Sequence, residues 1–201
     1  MIKHKMGCHF DSIMDQLIND GYGFYQVEEN IITPLLKAFD SNQIEDRFEN
    51  AKIGQGFHKK IVTNVRSDSI SWIEDWSSEY LNPYFKFLSE LQNTLNQTCM
   101  IALRRFEGHF ALFEIGARYQ KHIDNAQGQN RRVISVILYL SNSEGGELVL
   151  FDPLNRHQRI ATIKPQIGKL VIFESGRIWH EVLASHTARK SLTGWFCDDE
   201  L

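Results

Sequence analysis

The apolar positions change rhythm near residue 98. Before it they recur at threes and fours; after it they fall into short runs broken by glycine, asparagine and proline. Over 11–20, Ile13, Met14, Leu17 and Ile18 form one helical stripe, and Gly21 is placed to stop it. Residues 22–27 read as a short strand. Thr33-Pro34 predicts a helix N-cap followed by proline at the first helical position, with Leu35, Leu36 and Phe39 continuing the spacing. The longest helix is expected over 78–97, where Leu81, Tyr84, Phe85, Leu88, Leu91 and Leu95 recur and Pro83 falls in the first turn. Such a stripe more often covers a sheet than holds a cofactor. Residues 51–75 are less regular and contain Gly54, Gly56, Arg66, Asp68 and Trp72.

The second half reads as strands at 98–106, 109–115, 118–124, 132–140, 147–151, 158–163, 169–173, 178–183 and 190–197. The run from Val133 to Leu140 is apolar on both faces, as a central strand covered on both sides must be. Gly145-Gly146 marks a turn. Many short strands at even spacing predict a sandwich or barrel. The expected fold class is α+β, mainly β: a double-stranded β-helix (jelly-roll) core of about eight strands backed by N-terminal helices. No repeat, low-complexity run or linker composition interrupts the chain. Residues 1–201 are therefore expected to form a single domain, with 1–97 as helical flank and lid segment and 98–197 as the jelly-roll core.

Charge and composition narrow the partners. The net charge is −3 and the pI is near 6.2, which argues against generic binding to nucleic acid or anionic membranes. No apolar run follows Met1 to Cys8, so no secretory signal is expected, and no stretch is apolar for long enough to span a bilayer. Cys8, Cys99 and Cys197 are far apart and odd in number, which fits unpaired thiols in a reducing, cytoplasmic setting.

The candidate chemistry starts at His122-x-Asp124. On a strand, two residues that far apart project from one face. With a remote histidine, His180, they make a two-histidine, one-carboxylate set that leaves coordination positions open, the usual home of non-haem Fe(II) in oxygenases. Arg189 opens the last strand, where Arg189, Ser191, Thr193 and Trp195 share a face. If His180 points into the barrel, Arg189 on the adjacent strand can reach the same cavity. A guanidinium enclosed there needs an anion, and its fork matches a carboxylate. The implied ligand is a small acid with one end on the metal and its far carboxylate on Arg189. A lone strand histidine is more often structural, and His4, His9, His58, His109, His157 and His186 are read so. Arg131-Arg132 reads as a strand-edge basic pair. No nucleophile elbow or P-loop is present.

Taken together, His122-x-Asp124, the run Arg132 to Leu140, Gly145-Gly146-Glu147-Leu148, Pro165-x-x-Gly168, Phe173, His180-Glu181-Val182 and Arg189-x-Ser191-Leu192-x-x-Trp195-Phe196 resemble the Fe(II)/2-oxoglutarate-dependent dioxygenases of prolyl 4-hydroxylase type. The resemblance spans about residues 105–197. A looser likeness, over Ala51-Lys52-Ile53-Gly54 and Arg66-Ser67-Asp68-x-Ile70-x-Trp72, is to bacterial relatives of the hypoxia-inducible-factor prolyl hydroxylases. The resemblance over 105–197 implies His122, Asp124 and His180 as iron ligands, and Arg189, Tyr139 and Thr193 as 2-oxoglutarate contacts. Val182 and Trp195 would line the pocket, and Arg66 and Asp68 would belong to a lid over the substrate. The cofactors implied are Fe(II), 2-oxoglutarate as cosubstrate, O2, and ascorbate as a candidate addition. Where many relatives carry a second pocket tyrosine, this chain offers Phe113 or Leu112. The last strand also lacks the arginine and asparagine arrangement of the nucleic-acid-demethylating relatives.

The resemblance implies hydroxylation of a prolyl residue in a protein or peptide, with 2-oxoglutarate converted to succinate and no nucleic-acid or membrane partner. Two alternatives stand beside it. One is the same chemistry on a small molecule such as a free amino acid. The other is a catalytically silent jelly-roll binding module, against which the intact triad and Arg189 argue.

Overall fold

The computed structural model describes residues 10–41, 47–51, 65–126 and 131–199. The expectations placed on Cys8, His4, His9, His58, Gly54, Gly56 and Lys52-Ile53 lie outside these residues. The elements in chain order are α1 (Asp11–Asp20), β1 (Tyr22–Gln26), α2 (Glu29–Phe39), β2 (Glu49–Asn50), β3 (Ser69–Trp72) and α3 (Asn82–Cys99). Eight strands follow: β4 (Arg105–Phe113), β5 (Tyr119–His122), β6 (Arg132–Tyr139), β7 (Leu148–Phe151), β8 (Arg159–Ile163), β9 (Lys169–Glu174), β10 (Trp179–Val182) and β11 (Arg189–Cys197).

The helices follow the apolar stripes, with four corrections, one of them Ile18, expected on the α1 stripe but 57% exposed. Helix α1 ends as expected on Gly21, whose φ of 77° lets its N–H reach the Leu17 carbonyl. Helix α2 starts at Glu29, not after Thr33, because burying Ile32 with Leu35, Ala38 and Phe39 extends the turn backwards; Pro34 then lies inside the helix. Helix α3 begins at Asn82 rather than 78, since Ser78 closes a separate turn onto Leu81. Its inward stripe is Tyr84, Phe87, Leu88, Leu91 and Leu95. Phe85, expected inside, is 41% exposed and leans on Trp76.

Two antiparallel sheets build the rest. The larger has the order β1-β9-β6-β11-β4-β3-β2 and the smaller β5-β10-β7-β8. Alternation assigns each face of the large sheet its own core. Phe110, Val136, Leu138, Leu170, Ile172, Leu192 and Phe196 pack against the three helices. Ala111, Phe113, Ile137, Tyr139, Val171 and Phe173 face the small sheet, where Leu148, Leu150 and Val182 meet them. Burying each such side chain is worth roughly 1.5–3 kcal/mol. The fold is thus the expected jelly roll backed by helices, with β1, β2 and β3 extending one sheet.

The expected strands at 98–106 and 109–115 are one continuous strand, β4. Gly108 looks like a break but pairs directly with Gly194 of β11. A Cβ at Gly194 would collide with the Phe106 ring and the Glu107 carbonyl, so glycine here admits an aromatic ring across the strand. Residues 98 and 99 belong to α3, which ends at Met100 in the left-handed region with φ 53°. Strands β2 and β3 fall in or beside the segment read as irregular. No described helix is long and apolar enough to cross a membrane, and the two described cysteines, Cys99 and Cys197, are free.

Candidate metal centre and anion pocket

Antiparallel pairing of β10 with β5 sets His180 opposite His122. Strand β5 ends at His122, so Asp124 is not strand-borne as expected; it sits in the bend just beyond and still turns inward. Ligand atoms of His122, Asp124 and His180 lie within 4.8 Å of one another, close enough to share one metal ion. His122 Nε2 is 3.6 Å from Asp124 Oδ1, and His180 Nε2 is 3.6 Å from Asp124 Oδ2. Each imidazole uses its other nitrogen on a backbone carbonyl two residues back. His122 Nδ1 reaches Gln120 O at 2.8 Å, and His180 Nδ1 reaches Ile178 O at 3.1 Å. Those bonds place the proton on Nδ1 and aim both Nε2 lone pairs at the carboxylate. Two imidazoles and one carboxylate form the donor set that suits Fe(II) with positions left open.

The carboxylate is held from behind. Ser135 Oγ donates to Asp124 Oδ2 at 2.6 Å, and Trp195 Nε1 donates to the same oxygen at 2.9 Å. Burial works to raise the Asp124 pKa, but His180, His122 and Ser135 overcome it and hold the group far below the usual carboxylate range. Burial, reinforced by the nearby His122, pushes His180 down to about 4. Near neutral pH, His180 is therefore an unprotonated donor beside an ionised Asp124.

Arg189 approaches from the opposite sheet. It was expected on a strand adjacent to His180. Instead β10 belongs to the small sheet and β11 to the large one, and the two side chains line one cavity between the sheets. Arg189, Ser191, Thr193 and Trp195 share the inner face as expected, their partners on β4 being Phe113, Ala111, His109 and Glu107. The Arg189 side chain is 1% exposed, yet among the described residues no carboxylate pairs with it. Its guanidinium lies 4.6 Å from the Phe113 ring centroid and 4.9 Å from that of Tyr139, and its Nε has no hydrogen-bond partner among the described residues. The Tyr139 hydroxyl, fully buried, has none either. Burial pushes the Tyr139 phenol up, with the Arg189 charge opposing, so it stays a neutral donor. A buried cation and an unpartnered O–H side by side are what an incoming carboxylate needs.

One cavity of about 80 Å³ joins the donors to Arg189, with Tyr139 behind its lining. Its lining includes all three donors together with Arg189, Thr193, Val182, Trp195, Arg66 and Asp68. Arg66 and Asp68 form a two-bond ion pair, at 2.6 and 2.8 Å, with the Arg66 guanidinium 4.7 Å from the Tyr119 ring centroid. A larger cavity of about 510 Å³ lies elsewhere, among Leu17, Ile18, Cys99 and Val133, and contains no comparable donor cluster.

Three residues that support or line the site were missed in the sequence. Ser135 is indistinguishable from any small residue on a buried strand until Asp124 is seen against it. Arg132 is more than an edge charge: it lies 3.5 Å over the Trp195 ring and donates to Glu107 at 2.7 Å, whereas Arg131 pairs with Asp198. His109, read as structural, lines the same cavity.

Residues 108–197 match the family profile described as the 2OG-Fe(II) oxygenase superfamily. A comparison with curated proteins gives no match. Among solved structures, the chain is similar to a prolyl-4-hydroxylase of Pseudomonas putida, at 30% identity over 93% of this chain and 97% of that one, with a TM-score of 0.80. It is also similar to a prolyl hydroxylase of Trichoplax adhaerens, solved in complex with a hypoxia inducible factor oxygen degradation domain peptide fragment. There the identity is 25% over 93% and 88% of the two chains, with a TM-score of 0.75. A likeness of fold extends to the prolyl 4-hydroxylases of Phytophthora capsici, at 23% identity over 92% and 61% of the chains, with a TM-score of 0.71.

Proposed function

The chain belongs to the 2OG-Fe(II) oxygenase superfamily, and from that premise we propose that it hydroxylates a prolyl residue in a protein or peptide. The observation that supports this substrate over others is the likeness to the P. putida prolyl-4-hydroxylase across nearly the full length of both chains. The T. adhaerens relative, solved with a peptide, supports a polypeptide as the class of substrate.

In this reading His122, Asp124 and His180 hold the iron, and Arg189, Tyr139 and Thr193 hold 2-oxoglutarate. When bound, the iron would activate O2 and 2-oxoglutarate would supply two of the four electrons that O2 takes up, leaving as succinate and carbon dioxide, while the unactivated substrate carbon supplies the other two and receives one oxygen atom. The chain's own residues orient and exclude. Ser135 and Trp195 fix the Asp124 carboxylate so that it presents one geometry to the metal. The Arg189 fork and the Tyr139 hydroxyl take the far carboxylate. Val182, with the Phe113 ring, keeps that end dry, which strengthens both contacts. Arg66 and Asp68 border the substrate's approach. We also take 1–201 as one domain, because helices and large sheet share one apolar cluster. Ascorbate enters as a stimulant, to be tested by leaving it out.

The test is succinate release with Fe(II) and 2-oxoglutarate, with and without proline-containing peptides, followed by mass spectrometry of the peptide. The expected result is peptide-stimulated succinate and one added oxygen on a prolyl residue, both lost in His180→Ala. Stimulation by free amino acids alone, with no peptide modified, would overturn the peptidyl assignment.

A further inference from the structure

Few buried histidines leave both ring nitrogens without a partner, because each unmade hydrogen bond is a desolvation cost with no return. His109 does. It is 1% exposed, and among the described residues neither Nδ1 nor Nε2 has a hydrogen-bond partner. Its ring is held between two indoles, 4.9 Å from Trp72 and 5.5 Å from Trp195 by centroids. A phenylalanine would fill that slot with no polar atom to satisfy. A packing role therefore does not account for an imidazole here, and the cavity it lines is where a partner can arrive.

The rows of the large sheet say which partner. Arg189 pairs across from Phe113, and Ser191 from Ala111 on one side and Tyr139 on the other. That is the anion end. His109 lies farther along β4, across from Thr193 on one side and Trp72 on the other. Trp72 is 42% exposed, whereas Trp195 touches Asp124. His109 thus lines the same cavity as the metal donors, farther along β4 from the Phe113 that faces Arg189 and on the side where Trp72 reaches solvent. It lies outside the His122, Asp124 and His180 donor cluster. Burial, with the charges of Arg66 and Arg132, holds its pKa well below the ordinary histidine range, so the ring is neutral. A neutral imidazole has one N–H donor and one lone pair. A peptide group has one C=O acceptor and one N–H donor.

We propose that His109 is a substrate-positioning residue that hydrogen-bonds a backbone peptide group beside the target residue. This rests on the peptidyl reading above. The pairing fixes the chain so that the target carbon faces the metal donors, and the Trp72 and Trp195 rings hold the imidazole edge-on to it.

The test compares wild type, His109→Phe and His109→Gln. The phenylalanine keeps the ring and removes both polar atoms; the glutamine restores one donor and one acceptor. Three quantities are read: kcat and KM for a proline-containing peptide, anisotropy of a labelled peptide on the anaerobic Mn(II)- and 2-oxoglutarate-loaded protein, and 2-oxoglutarate affinity by tryptophan quenching. Expected is a loss of tenfold or more in peptide affinity and kcat/KM for His109→Phe, mostly recovered in His109→Gln, with 2-oxoglutarate affinity within about twofold. Unchanged peptide binding in His109→Phe overturns the proposal while the peptidyl reading stands. An equal loss of 2-oxoglutarate affinity also overturns it and assigns His109 to the cosubstrate. A wild type that binds and modifies no peptide defeats the peptidyl reading, and the peptide-group assignment with it.

Discussion

Replacing Arg189 with methionine should have two effects of opposite sign. Arg189 is among the largest fully buried side chains, and among the described residues its charge has no carboxylate partner. Its polar contacts are a long bond to Ser191 Oγ at 3.4 Å and the faces of Phe113 and Tyr139. Without ligand the protein therefore carries a poorly compensated buried cation, which costs several kcal/mol even after relaxation. An unbranched apolar side chain removes that cost and packs against Phe113 and Tyr139, so the ligand-free variant should melt no lower than wild type. With 2-oxoglutarate the sign reverses. Losing one partner of a desolvated charged contact costs about 2–4 kcal/mol, or roughly 30- to 1000-fold in Kd. The assays are calorimetric melting of the metal-free protein and 2-oxoglutarate titration of the anaerobic Mn(II) form. An unchanged 2-oxoglutarate Kd in the variant would refute the pocket assignment. A large drop in ligand-free Tm would show that Arg189 serves the fold instead.

Three further outcomes follow from the same geometry. Ser135→Ala removes the 2.6 Å bond that orients Asp124 and should weaken Mn(II) binding by about 10- to 100-fold; paramagnetic resonance titration checks it, and equal affinity would count against the orienting role. Stability of the metal-free protein should fall with acid. His180 is pushed down to about 4 and His109 lies well below its ordinary value, so between pH of about 6.5 and about 4 the unfolded chain binds protons that the folded one does not. Stability is then full above about 6.5 and lost toward about 4, with Asp124, itself held low, adding to the loss in still stronger acid; a Tm flat across that window would contradict the burial argument. Gly194→Ala would drive a Cβ into the Phe106 ring and the Glu107 carbonyl, costing on the order of 1–3 kcal/mol, read from urea unfolding; a neutral result would mean that the β4–β11 crossing gives way easily.

What the sequence disclosed depended on whether a residue's role is local. The donors were legible because two of them are close in sequence and the third is followed by an arginine at short range; Asp124 survives the early end of β5 because the bend after His122 still turns it inward. The alternation of β11 was legible for the same reason, since period-two patterning needs no knowledge of the partner strand. Roles created by contact across the sandwich were hidden. Ser135 matters only because Asp124 comes to it from another sheet. Arg132 matters because Trp195 lies beneath it, and His109 because two indoles enclose it. Gly108 of β4 looked like a break because its pairing with Gly194, which makes room for the Phe106 ring, is with a residue far away in sequence. Placing Arg189 beside His180 failed because consecutive strands were assumed to pair, whereas β10 and β11 belong to opposite sheets.

The most direct measurement is anomalous diffraction from crystals grown anaerobically with Mn(II) and 2-oxoglutarate. The account predicts one metal peak bonded by Nε2 of His122, Nε2 of His180 and the Asp124 carboxylate, with the far carboxylate of 2-oxoglutarate on the Arg189 guanidinium and the Tyr139 hydroxyl. A metal bound elsewhere, or a dicarboxylate that leaves Arg189 untouched, would contradict it.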